Sequence, residues 1–189
     1  MLTLDAKREL LGIAREAILS AIQNRPNAEP VTINEELSRP RGAFVTIRLG
    51  RELRGCIGYV ESPRPLTEVV ADVARKAACE DPRFLPVTLP EFEHAIVEIS
   101  ILSPLRHITA IEEIEIGTHG LLLEVGMNRG LLLPQVATEY GWDREAFLDA
   151  VAKKSGLYPS AWREPDARIF VFSAEIVNEA EIVEGESAS

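Results

Sequence analysis

AFVTIRLGRELRGCIGYV, residues 43–60, is the stretch whose reading decides the fold. Two runs of alternating side chains, Ala43 to Leu49 and Leu53 to Val60, flank Gly50, Arg51 and Glu52, which is the pattern of a β-hairpin. A three-residue loop opposes Leu49 with Leu53, Val45 with Ile57 and Ala43 with Tyr59, and makes one face apolar along its whole length. The other face then carries Phe44, Thr46, Arg48, Arg54, Cys56 and Gly58. A two-residue loop sets Val45 against Cys56 and Ile47 against Arg54 and mixes the faces, so the first register is the expectation.

On the N-terminal side, Leu10, Leu11, Ala14, Ile18, Ala21 and Ile22 recur at helical spacing, which predicts an amphipathic helix from about Leu4 to Asn24. Residues 25–41 hold Pro26, Pro30 and Pro40 and read as an irregular crossing. On the C-terminal side, SPRP (residues 62–65) starts a second helix, running to about Cys79 with Leu66, Val69, Val70, Val73, Ala74 and Ala77 on one side. The loop DPRFLPV (81–87) leads to HAIVEISIL (94–102), a strand whose Ala95, Val97, Ile99 and Ile101 share one face. A short helix near 111–115 precedes GLLLEV-GMNR-GLLLP, a second hairpin. One helical turn over Val136 to Tyr140, an Asp143-capped helix ending before Gly156, and a last strand from Arg168 to Val177 complete the pattern. Hairpins dominate and regular βαβ spacing is absent, so the class is α+β, an antiparallel sheet with flanking helices. Residues 179–189 read as an acidic disordered tail.

A chain of 189 residues with 46 % apolar side chains can bury a real core as one domain or two small lobes. Its net charge of −10 opposes long-range attraction to nucleic acid and anionic membrane, which leaves small molecules or protein partners. No apolar run approaches the roughly 20 residues of a membrane span. MLTLDAKREL at the start carries charges where a signal peptide needs an apolar run, and only two cysteines are present, so the reducing cytoplasm is the expected compartment.

Residues two apart on a strand share a face, so Arg54 and Cys56 are expected as neighbours about 7 Å apart at Cα. The preferred register adds Arg48 opposite Arg54. Two facing cations need an anion between them, which makes this face a candidate anion site beside a thiol that positive charge would activate. Gly55 and Gly58 fit close approach by a ligand, or equally by a neighbouring element with Cys56 as a small buried apolar group. His119, just before Gly120, is placed where a loop can present a base to a cleft, or where a turn is simply capped. Glu98 and Ser100 share a strand face with His94. Arg83 and Arg129 sit in turns, each able to hold a carboxylate or phosphate, or to bridge Asp81, Glu98 or Glu124. The three histidines and two cysteines have no zinc-ligand spacing, and no phosphate loop, GxSxG elbow or GxGxxG occurs, so no cofactor or metal is expected.

Taken in order, GAFVTIRLGRELRGCIGYV, DPRFLPV, VEISILSP, THGLLLE, NRGLLLPQVATEYGWDREAFL and KSGLYPSAW resemble the AMMECR domain, the family that includes the A component of AmmeMemoRadiSam systems. LRGCIG is the family's hallmark. The resemblance implies a single domain over residues 1–178 with two unequal lobes, and the hallmark lining a cleft between them. It further implies association with a Memo-like protein and a radical-SAM protein. By motif match it carries over Arg54, Gly55, Cys56, Gly58, Asp81, Arg83, Glu98, Ser100, His119, Arg129 and Gln135. The Arg-Gly-Cys arrangement itself motivates an enzyme reading, with Cys56 and His119 as candidate catalytic residues and Arg54, Gly55, Gly58, Arg83, Glu98, Ser100, Arg129 and Gln135 as contacts to a small anionic substrate. A non-catalytic binding or scaffold module for the same partners is the alternative.

Overall fold

The computed structural model describes residues 1–26, 29–180 and 182. It is a mixed α+β fold whose two compact units are Met1–Leu102 with the chain from Glu175 onward, and Ser103–Ala174.

In the first unit, helix α1 (Leu4–Ile22) opens with Thr3, whose hydroxyl accepts the Ala6 N–H. The hairpin strands are β1 (Ala43–Leu49) and β2 (Glu52–Tyr59), followed by α2 (Leu66–Cys79), a one-turn α3 (Leu89–Phe92) and β3 (Ala95–Leu102). With β8 (Ala174–Asn178) they form a four-stranded sheet in the order β2-β1-β3-β8. β1 is antiparallel to both neighbours. Helices α1 and α2 pack together, and α2 lies on β1 and β2. The core between them is built from Leu10, Ile18, Val69 and Val73 of the helices and Val45, Ile47, Val97 and Ile99 of the strands, all 0 % exposed. The period-two pattern therefore buries the expected face.

The hairpin departs from its expected register at one end. From Ala43↔Tyr59 to Ile47↔Gly55 the pairing is as expected, but Arg48 then pairs with Leu53 and Leu49 with Glu52. A bulge at Arg54 takes up the extra residue, and Gly50, with φ of 59°, makes the tight turn. Leu49 does not oppose Leu53, and Arg48 does not oppose Arg54.

The second unit has strands β4 (Arg106–Ile108), β5 (Gly120–Val125), β6 (Asn128–Leu132) and β7 (Arg168–Phe172) in the order β4-β7-β5-β6. Helices α4 (Pro134–Glu139) and α5 (Arg144–Lys154) follow β6. Asp143 accepts the Ala146 N–H and caps α5, as the spacing predicts. Phe147, Leu148 and Val151 of α5 bury against Leu121 and Leu123 of β5. The last strand expected from the sequence is in fact two: β7 pairs with β5, and after Ser173 the chain joins the other sheet as β8. Ser173 and Ser103 mark the break, each backbone N–H donating to the other serine's oxygen.

The expected tail falls largely on residues 181 and 183–189, outside the described residues. Glu179, its first residue, is anchored: its carboxylate accepts from Arg15 Nη1 at 2.9 Å and from the Val97 N–H at 3.1 Å. Among the described residues no helix is long and apolar enough to cross a membrane.

Candidate functional site

Cys56 lies on β2, the edge strand of the first unit's sheet. Gly55 and Ile57 flank it on the helix side, so its thiol is on the opposite face, with Thr46 directly across on β1. Thr46 is 6 % exposed and its Oγ1 donates to the Cys56 Sγ at 3.3 Å.

The outward backbone edge of Cys56 is clamped by the loop after α2. Its N–H donates to Asp81 Oδ2 at 2.9 Å, and its carbonyl accepts from Arg83 Nη2 at 3.2 Å. Arg83 also grips Asp81 in a two-point pair, Nε to Oδ1 at 2.9 Å and Nη2 to Oδ2 at 2.7 Å. The two side chains thus stand in for a neighbouring strand at one residue, satisfying a donor and an acceptor that an edge leaves open. Asp81 is buried, and the Arg83 hydrogen bond, aided by the Cys56 N–H, outweighs burial and holds its carboxyl down at about 2. Arg83 is raised, first by Asp81 and last by Cys56. Its side chain is 52 % exposed, and Nη1 has no hydrogen-bond partner among the described residues.

Arg54 is placed otherwise than the sequence suggests. Its Nε and Nη2 meet Glu91 at 2.8 and 3.2 Å, and its Nη1 and Nη2 donate to the carbonyls of Leu85 and Pro86 at 2.7 and 3.2 Å. Glu91 is held at about 2, first by Arg54 and then by the backbone N–H and hydroxyl of Thr88. The bulge takes Arg54 out of the ladder position facing Arg48, and the expected anion between two arginines is replaced by a carboxylate of the protein itself.

The two hallmark glycines are required by packing. A Cβ on Gly55 would fall on the Ala77 carbonyl of α2, and one on Gly58 would fall on the Phe44 ring. Glu98 lies opposite Thr46 on β3, and its Oε2 accepts from Asn178 Nδ2 of β8 at 3.0 Å. Cys56, Thr46, Glu98 and Asn178 therefore make one polar row across all four strands. Ser100, opposite Phe44, is 1 % exposed.

Three candidates belong to the second unit. His119 Nδ1 accepts the Glu115 N–H at 3.1 Å, and its own N–H returns to the Glu115 carbonyl at 2.9 Å, so the ring closes a turn. The hydrogen bond to Nδ1 fixes the orientation of the ring. Arg129 pairs with Glu124 at 3.1 Å, and Glu124 also takes Arg168 at 2.8 Å, a charged ladder across β6, β5 and β7. Gln135 lies in the first turn of α4.

Thr46 has no role in the sequence reading, although the register that sets it opposite Cys56 makes it legible. Arg48, expected to share an anion with Arg54, is partly buried, two residues from Thr46, and has no hydrogen-bond or ion-pair partner among the described residues. The second cysteine, Cys79, packs against the core, and burial pushes its thiol up. Among the described residues no group of three or more His, Cys, Asp or Glu side chains could hold a metal ion.

Comparison with known proteins places the chain. A protein of Methanopyrus kandleri is 40 % identical over 189 residues, covering 95 % of this chain and 91 % of that one. One from Aquifex aeolicus is 38 % identical over 181 residues, covering 92 % and 93 %. The crystal structure of an uncharacterized protein from Pyrococcus horikoshii superposes with a TM-score of 0.83 at 38 % identity, covering 88 % of each chain. The AMMECR1 family model matches residues 11–177, so that the hairpin, its clamp, the second unit and most of the first fall within the match, and the chain belongs to the AMMECR1 family.

Proposed function

We propose that the Cys56 face of the first unit binds a small anionic substrate and that Cys56 is its reactive thiol. The observation that carries this reading is the Thr46 Oγ1 hydrogen bond to Sγ at 3.3 Å, on a residue whose backbone is locked on both sides by Asp81 and Arg83. A hydroxyl in hydrogen-bond contact with sulfur orients the nucleophilic atom, and a locked backbone aims it. Arg48 and the Nη1 of Arg83 supply the positive charge that Arg54 does not. Both cysteines are free thiols, which suits a cytoplasmic setting. The Memo-like and radical-SAM proteins would deliver the substrate or accept the product.

The test is iodoacetamide labelling of the folded chain at neutral pH, followed by peptide mass analysis. Cys56 should label faster than Cys79, and Thr46→Val should slow Cys56 by about tenfold, the worth of one hydrogen bond to a charged group. Slow labelling of Cys56, unchanged by Thr46→Val, removes the reactive-thiol reading.

One observation favours the non-catalytic alternative. The clamp loop, which also holds Pro82 and Pro86, carries Leu85, 83 % exposed, as a recruiting surface for a protein partner would. In that case Leu85→Glu abolishes capture of the Memo-like protein while Cys56→Ser leaves it intact.

A further inference from the structure

Arg48 of β1 lies opposite Ile96, and Thr46 opposite Glu98, which makes Arg48 and Glu98 diagonal neighbours on one face, about 7 Å apart at the backbone. Opposite charges at that spacing normally pair. Here they do not: Arg48 has no partner among the described residues, and the Glu98 carboxylate is engaged by Asn178 Nδ2 at 3.0 Å. Cys56 is the other diagonal neighbour of Arg48, since it pairs with Thr46. A cation, an anion and a thiol therefore surround the Thr46 hydroxyl.

Both charged side chains are partly buried, and neither has the other to offset the loss of water. A ligand bearing one charge satisfies one of them and leaves its neighbour exposed to a like charge. A ligand bearing both, on adjacent atoms, satisfies the two together.

We propose that this face takes a zwitterion of the α-amino-acid class, with its carboxylate on Arg48, its ammonium on Glu98 and its Cα substituent directed across Thr46 towards the Cys56 thiol. This rests on the reading of the Cys56 face as a ligand site and narrows its carboxylate-bearing substrate to one that also carries an ammonium group.

Titration calorimetry of the full chain with L-alanine, propionate and ethylamine tests it. L-Alanine should bind at least about tenfold more tightly than either single-charge analogue, as expected for one additional charge-assisted contact. Arg48→Gln should reduce L-alanine to the level of ethylamine, and Glu98→Gln to that of propionate, each with an unchanged thermal melt. Propionate binding as tightly as L-alanine, no measurable L-alanine binding, or variants with unaltered affinity would overturn the proposal. Calorimetry needs no reactive sulfur, so L-alanine binding is read independently of Cys56 labelling. A chain that binds L-alanine but labels slowly at Cys56 loses the reactive-thiol reading and keeps this one.

Discussion

Gly55 has no room for a methyl group, because the Ala77 carbonyl of α2 occupies the place where its Cβ would stand. The obstacle is helix backbone and cannot rotate away, so Gly55→Ala must lift α2 from β2 and loosen the packing of Val69 and Val73. The expected loss is about 3 kcal/mol, read as a lower urea midpoint. Gly12 is the contrast. It sits inside α1 with nothing near its Cβ position, and Gly12→Ala should add up to about 1 kcal/mol of stability, read as a higher midpoint. A Gly55→Ala chain as stable as the native one would remove the packing account of the hallmark. The residue types at the site were legible at this scale: Cys56 with its flanking glycines, and Arg83 two residues from Asp81. Which arginine is spent and which is left over was not, because that depends on partners such as Glu91, 37 positions from Arg54.

At the scale of elements, the bulge in β2 and the single turn of α3 form one device. Glu91 holds both: one oxygen takes Arg54 Nε at 2.8 Å, and the other takes the N–H and hydroxyl of Thr88 at 2.8 and 2.7 Å, fixing the start of the turn. Removing it leaves a partly buried guanidinium without its counter-ion. Glu91→Ala should therefore cost about 2 kcal/mol and raise amide exchange across 85–92, with the Cys56 clamp retained. Unchanged exchange in that segment would show that α3 is held by its apolar contact at Phe92 alone. The alternation in residues 43–60 predicts two strands and one apolar face, and both exist. It is blind to the bulge, since a ladder can absorb one extra residue near its end without moving the core side chains further along. The same limit explains β7 and β8: a continuous apolar run predicts a strand, but not that its two halves pair in different sheets.

For the whole molecule, two carboxyls held at about 2 set the behaviour in acid. Asp81 and Glu91 are depressed below their ordinary values by Arg83 and Arg54, so both contribute stability that is full above about pH 5 and is lost as the pH falls towards 2. For buried Asp81 the contribution is roughly 2 kcal/mol. Thermal midpoints recorded from pH 7 to pH 2 should fall more steeply in the native chain than in Asp81→Asn/Glu91→Gln, which starts lower and varies less. Parallel curves would mean that neither pair forms in solution. By itself the sequence determined the class of fold, the longer strands and helices of both units, the buried faces and the family, because these follow from side-chain periodicity and from motifs contiguous in the chain; the short α3 and β4 carry too few residues to show a period. Only the tertiary structure decided the register at Arg54, the division of the last strand, and the pairing of Arg54 and Arg83 that leaves Arg48 and Glu98 as unjoined neighbours beside the thiol. Those outcomes depend on which charges meet across long stretches of chain, and a pairing energy exists only once the backbone has brought the partners within a few ångströms of each other.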